Sequence, residues 1–204
     1  MKPSIIAHRG VWQVPSEMNT MEAFRRAVSN GLSVETDVRD SCRHLVISHD
    51  PPTGSEPEAT GVFKLHAGHR PRAPLAVNIK ADGLCSMLRE DLLESGLENY
   101  FVFDMSIPET VVYLREGFRV FVRHSDIEPR PTLYDRAEGV WMDAFFNDWV
   151  DEATLAGHVG AGKKVCLVSP EVHGREPTTQ WNLLAGMRLE EGAILLCTDR
   201  PAAA

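Results

Sequence analysis

SIIAHRG, residues 4–10, begins as a short apolar run and closes on an imidazole, a guanidinium and a glycine. This pattern decides the fold because it recurs. SVETDV (33–38), LVISH (45–49), LAVNIK (75–80), YFVFDM (100–105), RVFVRH (119–124), GVWMDA (139–144), KVCLVS (164–169) and AILLCTD (193–199) are all strand candidates. Several are almost continuously apolar rather than alternating, as a parallel strand covered on both faces requires.

Helical periodicity fills many of the intervals. The clearest case follows Asn19, which is expected to cap a helix with Glu22 as its capping-box partner. Met21, Phe24, Ala27 and Val28 form its apolar stripe, and Gly31 supplies the stop. Further helices are expected over 84–95, 108–116, 151–160 and 178–189, each soon followed by a strand. The order is that of an α/β protein. PPTGSEPEATG (51–61) is read as a loop, and no low-complexity linker divides the chain, so residues 1–204 are expected to form one compact domain.

The formal net charge of -8 argues against a broad nucleic-acid surface, which needs clustered Lys and Arg, but leaves room for a small anion in a local basic pocket. The start of the chain lacks the pattern of a secretory leader, no apolar run is long enough to span a bilayer, and stable membrane insertion is not expected; the cytoplasm is the expected location. Cys42, Cys85, Cys166 and Cys197 show no CxxC or zinc spacing and read as buried reduced thiols. Trp141, Phe145, Phe146 and Trp149 read as packing residues rather than a sugar platform.

The polar residues concentrate where the strand candidates end: His8 and Arg9, Glu35 and Asp37, His49 and Asp50, Asn78 and Lys80, Asp104, Arg123 and His124, Asp143, Glu171, and Asp199. In a parallel barrel such ends emerge on one face, where residues distant in sequence converge. Glu35 and Asp37, two apart on one strand, share a face and offer two hard oxygen ligands to Mg2+ or Ca2+. His8 and His49 suit acid and base roles near neutral pH. Arg9 and Lys80 suit phosphate oxygens, or could instead form ion pairs with Glu35 or Asp37. SPEVHGRE (169–176) offers Glu171, His173 and Arg175 to the same face, expected as substrate contacts or as compensation for Asn78, against the alternative of an ordinary solvated loop.

AHRG (7–10), NTMEAF (19–24), ETDV (35–38), SHD (48–50), NIK (78–80) and the late Thr198-Asp199 together resemble the signature of the glycerophosphodiester phosphodiesterase family. The resemblance implies a TIM (β/α)8 barrel and a metal-dependent phosphodiesterase. It implies His8 and His49 as the acid/base pair, Glu35 and Asp37 as ligands of one divalent cation (Mg2+ or Ca2+, with Mn2+ an alternative), and Arg9 and Lys80 as phosphate contacts.

Two departures stand out. Asn78 occupies the place of the family's third metal carboxylate, and its amide oxygen remains a usable ligand for a hard cation. PSEMNT (15–20) replaces PENT, moving the glutamate to Glu17. A small anionic phosphodiester is the expected substrate. The rival readings are a phosphate-binding module that has lost catalysis and a lyase that cyclises a phospholipid headgroup. Nine strand candidates exceed a barrel's eight, so one is expected to be an extra strand.

Overall fold

A computed structural model describes residues 3–188, 190 and 192–204. Strands β1 (Ser4–His8), β2 (Ser33–Ser41), β3 (His44–Ile47), β4 (Leu75–Ile79), β5 (Tyr100–Phe103), β6 (Phe121–Ser125), β7 (Gly139–Asp143), β8 (Lys164–Val168) and β9 (Ile194–Thr198) alternate with helices. These are α1 (Met21–Ser29), α2 (Ala59–His69), α3 (Cys85–Ser95), α4 (Ile107–Arg115), α5 (Glu152–Gly160) and α6 (Thr178–Gly186).

Eight of the strands run parallel in the order β5-β4-β2-β1-β9-β8-β7-β6, while β3 pairs only with β2 and antiparallel to it. Strand β3 is therefore the expected extra. A parallel bridge between Val102 and Val120, with the Val102 N–H donating to the Arg119 carbonyl at 2.9 Å, brings the outer strands together. The result is a nearly closed TIM barrel in a single domain, as the resemblance implied.

The barrel interior is filled. Phe101 stacks on Phe121 with ring centroids 3.9 Å apart, and Phe103 stacks on Trp141 at 3.8 Å. Ile6, Cys166 and Cys197 occupy the remaining interior volume. Such rings bury large apolar areas and leave no pore, so ligands must bind at an end of the barrel. The outer faces of the strands pack on the helices: Phe24 and Phe63 contribute to one cluster, Leu155 and Leu184 to another.

Several local expectations need correction. The cap of α1 is Thr20, whose hydroxyl accepts from the Ala23 N–H at 3.3 Å, because Asn19 sits at φ 59 and turns its amide elsewhere. Residues 59–61 open α2 rather than extending the loop; Ala59, Val62, Phe63 and His66 are its buried face at i, i+3, i+4 and i+7. Helix α6 ends at Gly186, and the far end of the expected 178–189 helix includes Leu189, outside the described residues. Cys42 is exposed in the β2–β3 turn, whereas the other three thiols are buried and all four are free. Phe146 is 73% exposed, so it does not pack as expected, unlike Trp141. Among the described residues no helix is long and apolar enough to cross a membrane.

Gly139 begins β7 where the barrel leaves no room. A Cβ there would meet the Phe121 ring at 2.5 Å and the Lys164 carbonyl oxygen at 2.6 Å. The second contact is backbone and has little freedom to yield. Gly139→Ala is expected to cost about 2–3 kcal/mol by overpacking, read as a lower urea midpoint at unchanged m-value; an unchanged midpoint would contradict this packing.

Candidate active site

Parallel pairing places the polar strand ends side by side. His8 is in register with Glu35, and Asp37 with Asn78, so residues from β1, β2 and β4 form one continuous polar patch at the C-terminal end of the barrel. The turn after β1 is held tightly. Arg9, at φ 55, donates its N–H to the Glu35 carbonyl at 3.0 Å and accepts from the Asn19 N–H at 3.0 Å. Gly10 follows at φ 90, where a Cβ would lie 2.8 Å from the Ala23 carbonyl carbon. Only glycine meets both demands, which explains its place beside the His8-Arg9 pair.

Asp37 is fully buried and collects the local cations. Arg9 Nε lies 3.1 Å from Oδ2, Lys80 Nζ 3.2 Å from Oδ1, and the Asn19 amide donates to Oδ2 at 2.8 Å. The ion-pair alternative for Arg9 and Lys80 is thus realised, with Asp37 as the partner. Burial alone would raise the Asp37 pKa, but these two cations and the Asn19 hydrogen bond hold it below the ordinary carboxylate value.

Glu35 lacks that compensation. It is 1% exposed, Oε2 has no hydrogen-bond partner, and its pKa is pushed up to about 7 by burial and by the Asp37 charge. Asp37 Oδ1 and Asn78 Oδ1 are likewise buried without a hydrogen-bond partner. Three buried oxygens without a hydrogen bond on adjacent strands, of which Asp37 Oδ1 has an ion-pair partner in Lys80, form an unusual concentration of acceptors, since such atoms are normally paired. They make a donor set of two carboxylates and one amide for a hard cation. No cluster of three His, Cys, Asp or Glu side chains suited to a metal occurs among the described residues, so such a site depends on the Asn78 amide.

His8 is oriented from behind. Its Nδ1 lies 2.7 Å from Asp199 Oδ1 at the end of β9, and its Nε2 lies 3.8 Å from Glu35 Oε2. Burial lowers its pKa, but the Asp199 hydrogen bond and the charges of Glu35 and Asp199 outweigh this and leave it raised. His49 arrives by a different route from the one expected. It lies two residues beyond β3, an antiparallel strand, and reaches the site because the β2–β3 hairpin turns back: the Ser48 N–H donates to the Asp37 carbonyl at 3.0 Å. His49 is more open than His8, with a side chain 47% exposed and Nδ1 2.9 Å from Asp50 Oδ1.

The remaining sequence candidates lie in the other half of the barrel. Asp143, at the end of β7, binds Arg123 Nη1 through Oδ2 at 2.9 Å and His173 Nε2 through Oδ1 at 2.6 Å. Arg123 also pairs with Asp104 and, at 3.4 Å, with Glu128. Arg175 binds Asp148 and the Ala144 carbonyl, and so braces the 144–148 segment. Glu171 is buried, with both oxygens turned to protein donors. Burial first, then the charges of Glu35 and Asp143, raise the thiol pKa of Cys166 in the barrel interior.

Against this geometry, two solved structures can be compared. One, from Galdieria sulphuraria and assigned as a glycerophosphodiester phosphodiesterase, superposes with a TM-score of 0.76 over 98% of this chain and 95% of that chain, at 15% identity. The glycerophosphodiester phosphodiesterase of Agrobacterium tumefaciens gives 0.68 over 99% and 100%, at 17% identity. The fold is that of these two glycerophosphodiester phosphodiesterases. No family model matches the sequence, nor does any curated protein.

Asp199 and Asn19 were missing from the sequence-based site. Asp199 was visible as a polar strand end, but only the fold shows that β9 and β1 are neighbours and that it faces His8. Asn19 was read as a cap because Asn is a favoured capping residue, a role that Thr20 fills one position later.

The buried Glu35 carries a signature in stability. A folded-state pKa raised above the ordinary value near 4.5 gives stability that is present below that value and lost as pH rises through about 7. Glu35→Gln is therefore expected to lose less thermal stability than wild type between about pH 5 and about pH 8 in EDTA. Parallel pH curves for the two proteins would show that Glu35 is not strained in this way.

Proposed function

We propose that the protein is a metal-dependent phosphodiesterase acting on a small soluble diester of the glycerophosphodiester kind. The observation that carries this reading is the trio of buried oxygens without a hydrogen bond on Glu35, Asp37 and Asn78, set beside two cations and an aspartate-oriented histidine. The two structural neighbours support the substrate class.

Glu35, Asp37 and Asn78 would hold one divalent cation, Mg2+ or Ca2+ with Mn2+ as the alternative. When bound, that cation supplies positive charge to a phosphoryl oxygen. Arg9 and Lys80 are placed to bind the non-bridging oxygens and to offset the charge that builds as the nucleophile arrives. Both histidines use the same orientation: His8 Nδ1 is tied to Asp199 and His49 Nδ1 to Asp50. A carboxylate on Nδ1 favours a proton there and leaves Nε2 as the working atom. One imidazole accepts the nucleophile's proton at Nε2 while the other donates one to the departing alcohol oxygen. A bond to phosphorus forms, the ester P–O bond breaks, and the alcohol leaves protonated.

On the far side, His173 has Nε2 committed to Asp143 and is placed to use Nδ1 on the alcohol portion of the substrate, while Arg175 holds the wall of that region through Asp148 and the Ala144 carbonyl.

Turnover of bis(p-nitrophenyl) phosphate and a panel of glycerophosphodiesters is the direct test, with EDTA and then Mg2+, Mn2+ or Ca2+ restored. His8→Ala and His49→Ala are each expected to lower kcat about 10²- to 10⁴-fold, the range of positioned acid/base groups. Silence across the panel with no metal binding by calorimetry would replace the enzyme reading with that of a phosphate-binding module. Asn78→Asp adds one ligand charge and is expected to tighten Mg2+ or Mn2+ binding roughly tenfold by calorimetry; unchanged affinity would remove Asn78 from the ligand set.

A further inference from the structure

Glu171 is a buried carboxylate without a cation partner in the structure. It accepts hydrogen bonds from the Ser169 hydroxyl on Oε2, from the Thr198 hydroxyl on Oε1, and from the Asp199 N–H on Oε1 at 3.2 Å. The Thr198 hydroxyl in turn accepts from the Arg200 N–H at 3.0 Å. Every backbone position from 198 to 200 is thereby tied, directly or through Thr198, to one carboxylate borne on the neighbouring β8 loop. The middle residue of that turn is Asp199, whose carboxylate lies 2.7 Å from His8 Nδ1.

We propose that Glu171 is a positioning residue for His8. It fixes the turn after β9 so that Asp199 meets His8 Nδ1, and His8 in consequence presents Nε2 to the reaction site. The alternative, that Glu171 contacts substrate, is opposed by its burial and by the three protein donors it already accepts, two on Oε1 and one on Oε2. Ser169 is itself anchored, its hydroxyl accepting from Trp181 Nε1 at 2.8 Å, so the clamp is fastened to α6. Outer supports of this kind set the tautomer and direction of a working imidazole without touching the ligand.

The kinetic arm of the test rests on the phosphodiesterase reading; the spectroscopic arm does not. Glu171→Gln, Asp199→Asn and the double variant are compared with wild type for kcat, KM, thermal midpoint and the imidazole 15N shifts of His8, identified by their loss in His8→Gln. In Glu171→Gln, kcat is expected to fall about tenfold with KM within about twofold, the scale of losing an outer support. The double variant is expected to be no slower than Asp199→Asn alone, because both changes act through one contact. His8 is expected to shift from a predominantly Nδ1-protonated form toward a mixture in Glu171→Gln. Thr198→Val, close to isosteric, breaks the same clamp and decides the matter if Glu171→Gln does not fold. A raised KM at constant kcat, additive losses in the double variant, or an unchanged His8 tautomer would each overturn the proposal. If wild type turns over no diester, the phosphodiesterase reading falls and the His8 spectrum still judges Glu171.

Discussion

Two carboxylates on one strand, two residues apart and almost without solvent, are the constraint around which the rest is built. Removing a single carboxylate from water costs several kcal/mol unless charge or hydrogen bonds replace the lost hydration. Glu35 and Asp37 add mutual repulsion to that cost. Asp37 is compensated by Arg9, Lys80 and Asn19; Glu35 is not, and the unequal treatment drives their pKa values apart. The backbone follows the same requirement. Arg9 and Asn19 both take left-handed conformations that cost non-glycine residues energy, and in return their side chains reach Asp37.

The barrel makes this arrangement affordable by fixing register. Because side chains alternate at period two, a one-residue slip of β1 against β2 would turn His8 away from Glu35, and a slip of β2 against β4 would separate Asp37 from Asn78. The stacked aromatic interior holds the opposite side of the barrel in register, since Phe101 and Phe103 on β5, Phe121 on β6 and Trp141 on β7 interlock across three neighbouring strands.

Much of this was legible in the sequence because it depends on local pattern. Continuous apolar runs gave away the parallel strands, and polar residues at their ends marked the face that carries chemistry. The features that escaped depend on tertiary neighbours or on competition between adjacent residues. Thr20 took the cap from Asn19 because Asp37, distant in sequence, claimed the Asn19 amide. Helix α2 carries a regular buried face at Ala59, Val62, Phe63 and His66, but glycines at 61 and 68 and the Pro-rich segment before it masked the pattern. His49 looked like the end of a barrel strand; its hairpin leaves it more exposed than His8. Glu171 reads in the sequence as a substrate contact on a loop, and only the adjacency of β8 and β9 shows where its oxygens are committed.

Charge divides the barrel mouth into unequal halves, and under the proposed phosphodiesterase function the division would orient a diester. On the β1–β2–β4 side, two cations, Arg9 and Lys80, contact one carboxylate, Asp37, with Glu35 beside it. On the β5–β8 side, Arg123 contacts three carboxylates, those of Asp104, Glu128 and Asp143, and its charge is more than spent. Each cation on the first side has fewer carboxylate contacts than Arg123, so a phosphoryl group would meet less repulsion over Arg9 and Lys80 than over Arg123. The second side instead offers carboxylate oxygens and the half-buried ring of Phe145, which lies 4.9 Å from the His173 ring and 5.1 Å from the Arg123 guanidinium carbon. Those groups suit hydroxyl donors with an apolar carbon face. The phosphorus would therefore lie over β1, β2 and β4, within the reach of His8, and the alcohol would extend across the barrel toward Asp143.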